Sequence, residues 1–332
     1  MLSPTPNNKR SSRREYRILL LILVFALANN SVSQGQTPKA AVNYYKSGND
    51  KLRKGDLDGA IDDFTRAIQI SSHLVSARGI RRISSSGPNN LAVPGEAKAI
   101  IVVDPFTAKV YCDRAVARYQ KGDIDGAISD CNEAIRINPG LAEAYLNRGT
   151  ALHSKGESNA ALADWSRALE INHHLVDAYN NRGELRQDLG DIEGALADLN
   201  QAILLNPRHA ESYYHRGYAR LEKRDFDGAI SDFNQAIELN RRMAWAYQGR
   251  GTAQMSKNDL TRAVRDFSRA LELDPNIALA YANRGLVLLR QGKEPEARRD
   301  FERCLTLKPD MKSELEMRIK TACRRSRKSV EI

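Results

Sequence analysis

The sequence is poor in the residues that do chemistry. Its 332 residues include four cysteines and six histidines. Cys112, Cys131, Cys304 and Cys323 form neither a CxxC pair nor a zinc-ligand spacing. His173 and His174 are neighbours in an inter-unit turn, where adjacent residues are expected to diverge, and His73, His153 and His209 are scattered. There is no glycine-rich nucleotide loop, no nucleophile motif and no pair of carboxylates spaced for acid–base work. The expectation is a non-catalytic protein with no metal and no cofactor.

Glycine and proline are too few for a fibrous or linker-like chain, at 21 and 11 residues, and 42% of residues are apolar, enough for a large core. A basic stripe is lacking too. The formal charge is +10, but residues 1–17 and 312–332 contribute +4 each, which leaves +2 for the body. A groove that follows a phosphate backbone is therefore not expected, nor is a nucleic-acid partner. The terminal Arg324–Lys328 reads as a solvated tail.

Long apolar runs are also missing, with one exception. Lys9, Arg10, Arg13, Arg14 and Arg17 precede ILLLILVFALA, Ile18 to Ala28, which a polar stretch follows. Eleven apolar residues suit the core of an export signal better than a membrane span, and Ala26 to Ala28 supply small residues for cleavage. The reading is a signal over 1–28, a polar linker over 29–40 and an exported protein, periplasmic or secreted. An uncleaved anchor through 18–28 is the alternative, and membrane contact is expected only in that case.

What the chain has in abundance is repetition. A shift of 34 residues aligns units starting at Ala41, Ala108, Ala142, Val176, Ala210, Ala244 and Ala278. Place 4 is tyrosine throughout, from Tyr44 to Tyr281. Place 8 is Gly48, Ala115, Gly149, Gly183, Gly217, Gly251 or Gly285, and place 20 is alanine in every unit. Place 24 carries Phe64, Cys131, Trp165, Leu199, Phe233, Phe267 or Phe301. Small residues let two helices approach, and a large one fills the adjoining gap. Gly-Asp or Gly-Glu between them marks a tight turn, and Pro139, Pro207, Pro275 and Pro309 end each second helix. Arginine at place 7 of six units and aspartate at place 23 of all seven predict a ladder of ion pairs between helices.

This pattern resembles the tetratricopeptide repeat over residues 41–311. The resemblance implies an all-α fold, a right-handed superhelical solenoid of helix-turn-helix repeats with a concave inner face. Departures are Ala115 for glycine, Arg224 and Asn258 in turns, and His173 and Arg241 where proline is usual. One unit spans 41–74 and six regular units span 108–311. A degenerate unit over 75–107 is expected between them, because SSSGPNNLAVPG at 84–95 replaces its turn; it reads as a decayed repeat, a hinge or a recognition loop. Leu315, Ile319 and Ala322 at helical spacing predict a capping helix over 312–325, followed by a basic tail over 326–332.

By analogy with the family, places 2, 5, 6 and 9 of the first helices face the groove. They hold the amides Asn147, Asn180, Asn181 and Asn283 and an aromatic cluster of Tyr214, His215, Tyr218 and Trp245, followed by Leu279 and Leu286. Amides that donate and accept, beside aromatics, suit a peptide or protein segment. The function read from the sequence is an interaction scaffold that binds such a segment on its concave face. The alternative is a membrane-tethered assembly factor that organises an envelope complex.

Overall fold

A computed structural model describes residues 39–77 and 105–328, with side chains for 39–71 and 105–322. Helices pair in sequence order. The pairs are α1 (Lys39–Arg53) with α2 (Leu57–Ala77), α3 (Pro105–Lys121) with α4 (Ile124–Ile137), and α5 (Ala142–Ser154) with α6 (Ser158–Ile171). Then follow α7 (Val176–Asp188) with α8 (Ile192–Leu205), α9 (Ala210–Glu222) with α10 (Phe226–Leu239), and α11 (Ala244–Ser256) with α12 (Leu260–Leu273). The last pair is α13 (Ala278–Arg290) with α14 (Glu294–Leu307). A 3-10 turn (Pro309–Met311) leads from it to α15 (Lys312–Lys328).

Each hairpin closes through a left-handed residue: Gly55, Gly122, Gly156, Gly190, Arg224, Asn258 or Gly292, all with φ between 62° and 89°. Asp123, Asp191, Asp225 and Asp259 then accept the backbone N–H three residues on and so cap the second helix. Glu157 stands in the same place without a side-chain cap. The second helix stops where Asn138, Asn172, Asn206, Asn240 or Asp274 turns extended, near φ −135°, and accepts the N–H two residues further on.

The first unit lacks that stop signal. Ser71 occupies the place, its hydroxyl bonds back to the Ala67 carbonyl, and α2 continues to Ala77. The start of the expected degenerate unit, 75–77, is therefore part of α2, while 78–104 and the 84–95 loop lie outside the described residues. Among the described residues, α2 packs directly on α3. Arg114 reaches Thr65 at 2.8 Å and Lys121 pairs with Asp58, the contacts that Arg148–Asn132 and Lys155–Asp125 make between regular neighbours. Pro105 opens α3 instead of ending a second helix. Lys39 and Ala40, expected in the linker, already belong to α1, and α15 runs to Lys328. Residues 1–38 and 329–332 lie outside the described residues, so the signal does too. No described helix is long and apolar enough to cross a membrane.

Candidate functional site: the face of the first helices

Successive first helices touch one another along the array, whereas among the described residues successive second helices do not pack closely. A stack that is tighter on one side curves toward that side. The first helices α3, α5, α7, α9, α11 and α13 therefore line its concave face.

Rigid rungs hold this face in place. Each place-7 arginine grips the place-23 aspartate of its own hairpin through two parallel bonds. Arg216 Nε and Nη2 meet Asp232 at 2.9 and 2.6 Å, and Arg114, Arg148, Arg182, Arg250 and Arg284 repeat the geometry. The remaining Nη1 crosses to the preceding unit, to Thr65, Asn132, Ser166, Asn200, Asn234 or Ser268. Each guanidinium also lies 5.2 to 5.8 Å from the ring centre of the tyrosine three residues earlier. The expected ladder is present. The place-25 acceptors and the role of the tyrosines escaped the sequence reading, although both recur at the same period.

The predicted groove residues divide into two groups. Place 6 proves to be a seam between units. Asn147 donates to Cys112 Sγ at 3.2 Å, Asn181 approaches Thr150 at 3.5 Å, and Asn283 donates to Thr252 at 3.3 Å. His215 faces Glu184 at 3.8 Å across the same seam. Burial draws the His215 pKa down to about 4, with His209 adding to the effect, so the imidazole is neutral at pH 7. Burial raises Glu184, with Asp188 acting the same way.

Asn180 and Asn283, expected to meet a ligand, are buried and already bonded. Asn180 is 6% exposed and accepts from Ser212, and Asn283 is 2% exposed and accepts from Arg318 of α15 at 2.5 Å. They hold the stack together and are not contact points.

Tyr214, His215 and Tyr218 do form the expected aromatic group, with Tyr214 5.0 Å from Tyr218 and 4.8 Å from His215. Tyr218 packs on Phe233 and donates to Gln248, whose amide continues to Thr252 and hence to Asn283. A polar chain so links α9 to α15. Burial pushes Tyr214 up to about 12, with Glu184 contributing. Trp245 stands apart, with no ring contact to the three among the described residues, and is 44% exposed.

Two family descriptions match this chain. "Tetratricopeptide repeat" matches residues 180–244 and 249–312, and "TPR repeat" matches residues 115–156 and 149–190. The chain belongs to the tetratricopeptide repeat family. A tetratricopeptide repeat protein of Parabacteroides merdae is 18% identical with a TM-score of 0.56, over 86% of this chain and 99% of that one. Pseudomonas aeruginosa pilF is 17% identical with a TM-score of 0.56, over 61% and 92%. The Cut9–Hcn1 structure from an APC/C hetero-tetramer is 18% identical with a TM-score of 0.59, over 84% and 58%. At such identities the likeness shows the fold, a right-handed superhelical solenoid of tetratricopeptide hairpins. No curated protein matches the chain.

The three described thiols offer no reactive group. Cys112, Cys131 and Cys304 are free and buried. Burial raises all three, Cys112 to about 12, so they stay protonated.

Proposed function

We propose that this protein is a non-catalytic interaction scaffold that holds a segment of a partner protein against its concave face. The observation that carries the reading is Trp245. It is a large amphipathic ring left 44% exposed at the start of α11, whereas Asn180 and Asn283 on other first helices are tied into the stack. Exposed tryptophan on a rigid support is a frequent anchor in protein interfaces, since little side-chain freedom is lost when it is covered. Half-buried Leu279 follows it one period later. Tetratricopeptide arrays are in general binding frameworks, and function on such frameworks resides in the surface each one presents.

Ile18 to Ala28 and the basic residues before it support export as the setting, which places the partner outside the cytoplasm. If that segment stays uncleaved, the same face works from a membrane tether. N-terminal sequencing of the mature protein separates the two: a start near Asn29 means release, and an intact Met1 means tethering.

The binding test is affinity capture from the native extracytoplasmic fraction, comparing the unaltered chain with Trp245→Ala. Tyr218 and Tyr214 are left in place because they pack on Phe233, so truncating them would disturb the fold. Loss of one specific partner with unchanged helicity is the expected result. An identical set of partners would overturn the reading.

A further inference from the structure

Two of the hairpin turns carry a side chain at positive φ where the others have glycine. They are Arg224 at 62° and Asn258 at 65°. A left-handed arginine is strained relative to glycine, because its Cβ crowds the following carbonyl. Nothing in the turn itself calls for it, because the glycines in the equivalent places of the other units have open space around the position of a Cβ. Arg224 and Asn258 do share one thing: both side chains line the same cavity of about 420 Å³.

The cavity owes its shape to α15. Lys312 falls where the first helix of another unit would begin, and such a helix would pack mainly on the preceding second helix. α15 packs chiefly against the first helix α13. Leu315 and Ile319 meet Ala282 there, and Arg318 bonds Asn283, which inclines α15 across the concave face. Between α15, α11 and α13 lies a floor of Met255, Leu286 and Met317, with Phe226 at the edge; Met317 is 68% exposed. Around this floor stand Arg224, Arg290 and Arg318, and among the described residues no aspartate or glutamate lines the cavity. Arg318 is partly engaged, by Asn283 and by Glu314 at 3.5 Å, and Arg290 donates to Asn258 at 2.5 Å. Arg224 has no ion pair and no side-chain hydrogen bond among the described residues.

We propose that this cavity receives an acidic side chain next to a large apolar one, both from an extended segment of a partner protein. The carboxylate sits between Arg224 and Arg290, which offer planar paired donors, and the apolar side chain covers Met255, Leu286 and Met317. Charge complementarity selects this occupant: three guanidinium groups over an apolar floor repel a basic segment and leave a neutral one with unpaired donors. The proposal rests on the concave face being a protein-binding surface, and it adds the chemistry of what is bound and a second contact point beyond Trp245.

The test uses the full chain and a random dodecapeptide display library as probe. Recovered peptides are expected to carry Asp or Glu within two residues of Leu, Met, Phe or Trp. Arg224→Gly combined with Arg290→Gln should bind a recovered peptide at least tenfold more weakly. Arg224→Gly relieves backbone strain, and the bond to Asn258 lost in Arg290→Gln is solvent-exposed, so the double variant should keep its melting temperature and unfolding does not account for that loss. Peptides without the acidic and apolar pairing, or equal binding by the double variant, overturn the proposal. If the double variant binds equally while Trp245→Ala does not, the cavity is excluded and the concave-face reading stands; if no peptide is recovered, both fall.

Discussion

Ala115 and Cys131 face each other in the core of the hairpin formed by α3 and α4. At the same two places Gly48 meets Phe64, Gly149 meets Trp165, Gly217 meets Phe233 and Gly285 meets Phe301. A Cβ on any of those glycines would come within 2.5 to 2.8 Å of the facing ring. The α3–α4 hairpin has therefore exchanged volume between its two helices, one methyl gained and one ring given up. Gly217→Ala should cost about 2 kcal/mol, because Phe233 is fully buried and cannot move aside. Cys131→Phe should cost a similar amount alone and less beside Ala115→Gly. Urea denaturation of the four-member cycle should return a coupling of about 1 kcal/mol or more.

Asp232 serves two guanidinium groups, since Arg220 Nη1 reaches it at 2.8 Å beside the bidentate Arg216. It is 2% exposed, so removing its charge leaves two half-buried guanidinium groups without their carboxylate. Asp232→Ala should destabilise by about 3–5 kcal/mol. Arg216→Met in the same chain should recover part of the loss, and unchanged stability in the single variant would contradict the structural role of the rung.

The turns make an opposite pair of predictions. Arg224→Gly removes a left-handed side chain and should stabilise by about 1 kcal/mol, despite the greater freedom that glycine gives the unfolded chain. Gly190→Ala, at φ 83°, should destabilise by about 1 kcal/mol or more. Thermal melts of the two variants suffice as a check.

His215 sets a pH dependence. Its pKa is about 4 when folded and ordinarily 6.5, so between these values the unfolded chain binds more protons than the folded one. The associated stability is complete above pH 6.5 and is lost as pH falls toward 4, on the order of 2–3 kcal/mol. The raised Glu184 works in the other direction as it protonates and offsets part of that loss. His215→Gln should show a smaller drop in melting temperature between pH 7 and 4.5 than the unaltered protein.

The hairpins were legible in the sequence because their packing is written in side-chain volume: glycine at place 8, alanine at place 20 and a ring at place 24 admit one close approach. The Arg216–Asp232 rung was legible for the same reason, as a pair that recurs with the period. Asn180 and Asn283 were misplaced because their partners, Ser212 and Arg318, belong to other helices, and position within a unit says nothing of what a neighbour sends across the seam. The direct stacking of α2 on α3 was hidden by a coincidence of spacing: Asp104-Pro105 keeps the 34-residue beat although Pro105 begins a helix. The missing stop at Ser71 was the signal that could have revealed it.

The most direct measurement of the concave-face account uses the two tryptophans as reporters. Trp165 is 1% exposed in the core and Trp245 is 44% exposed on the face, so Trp165→Phe leaves a chain whose tryptophan fluorescence comes from Trp245 alone. Iodide quenching of that chain should fall severalfold when the captured partner segment is added. Quenching that stays the same at saturating partner would show that the segment binds elsewhere and would contradict the account.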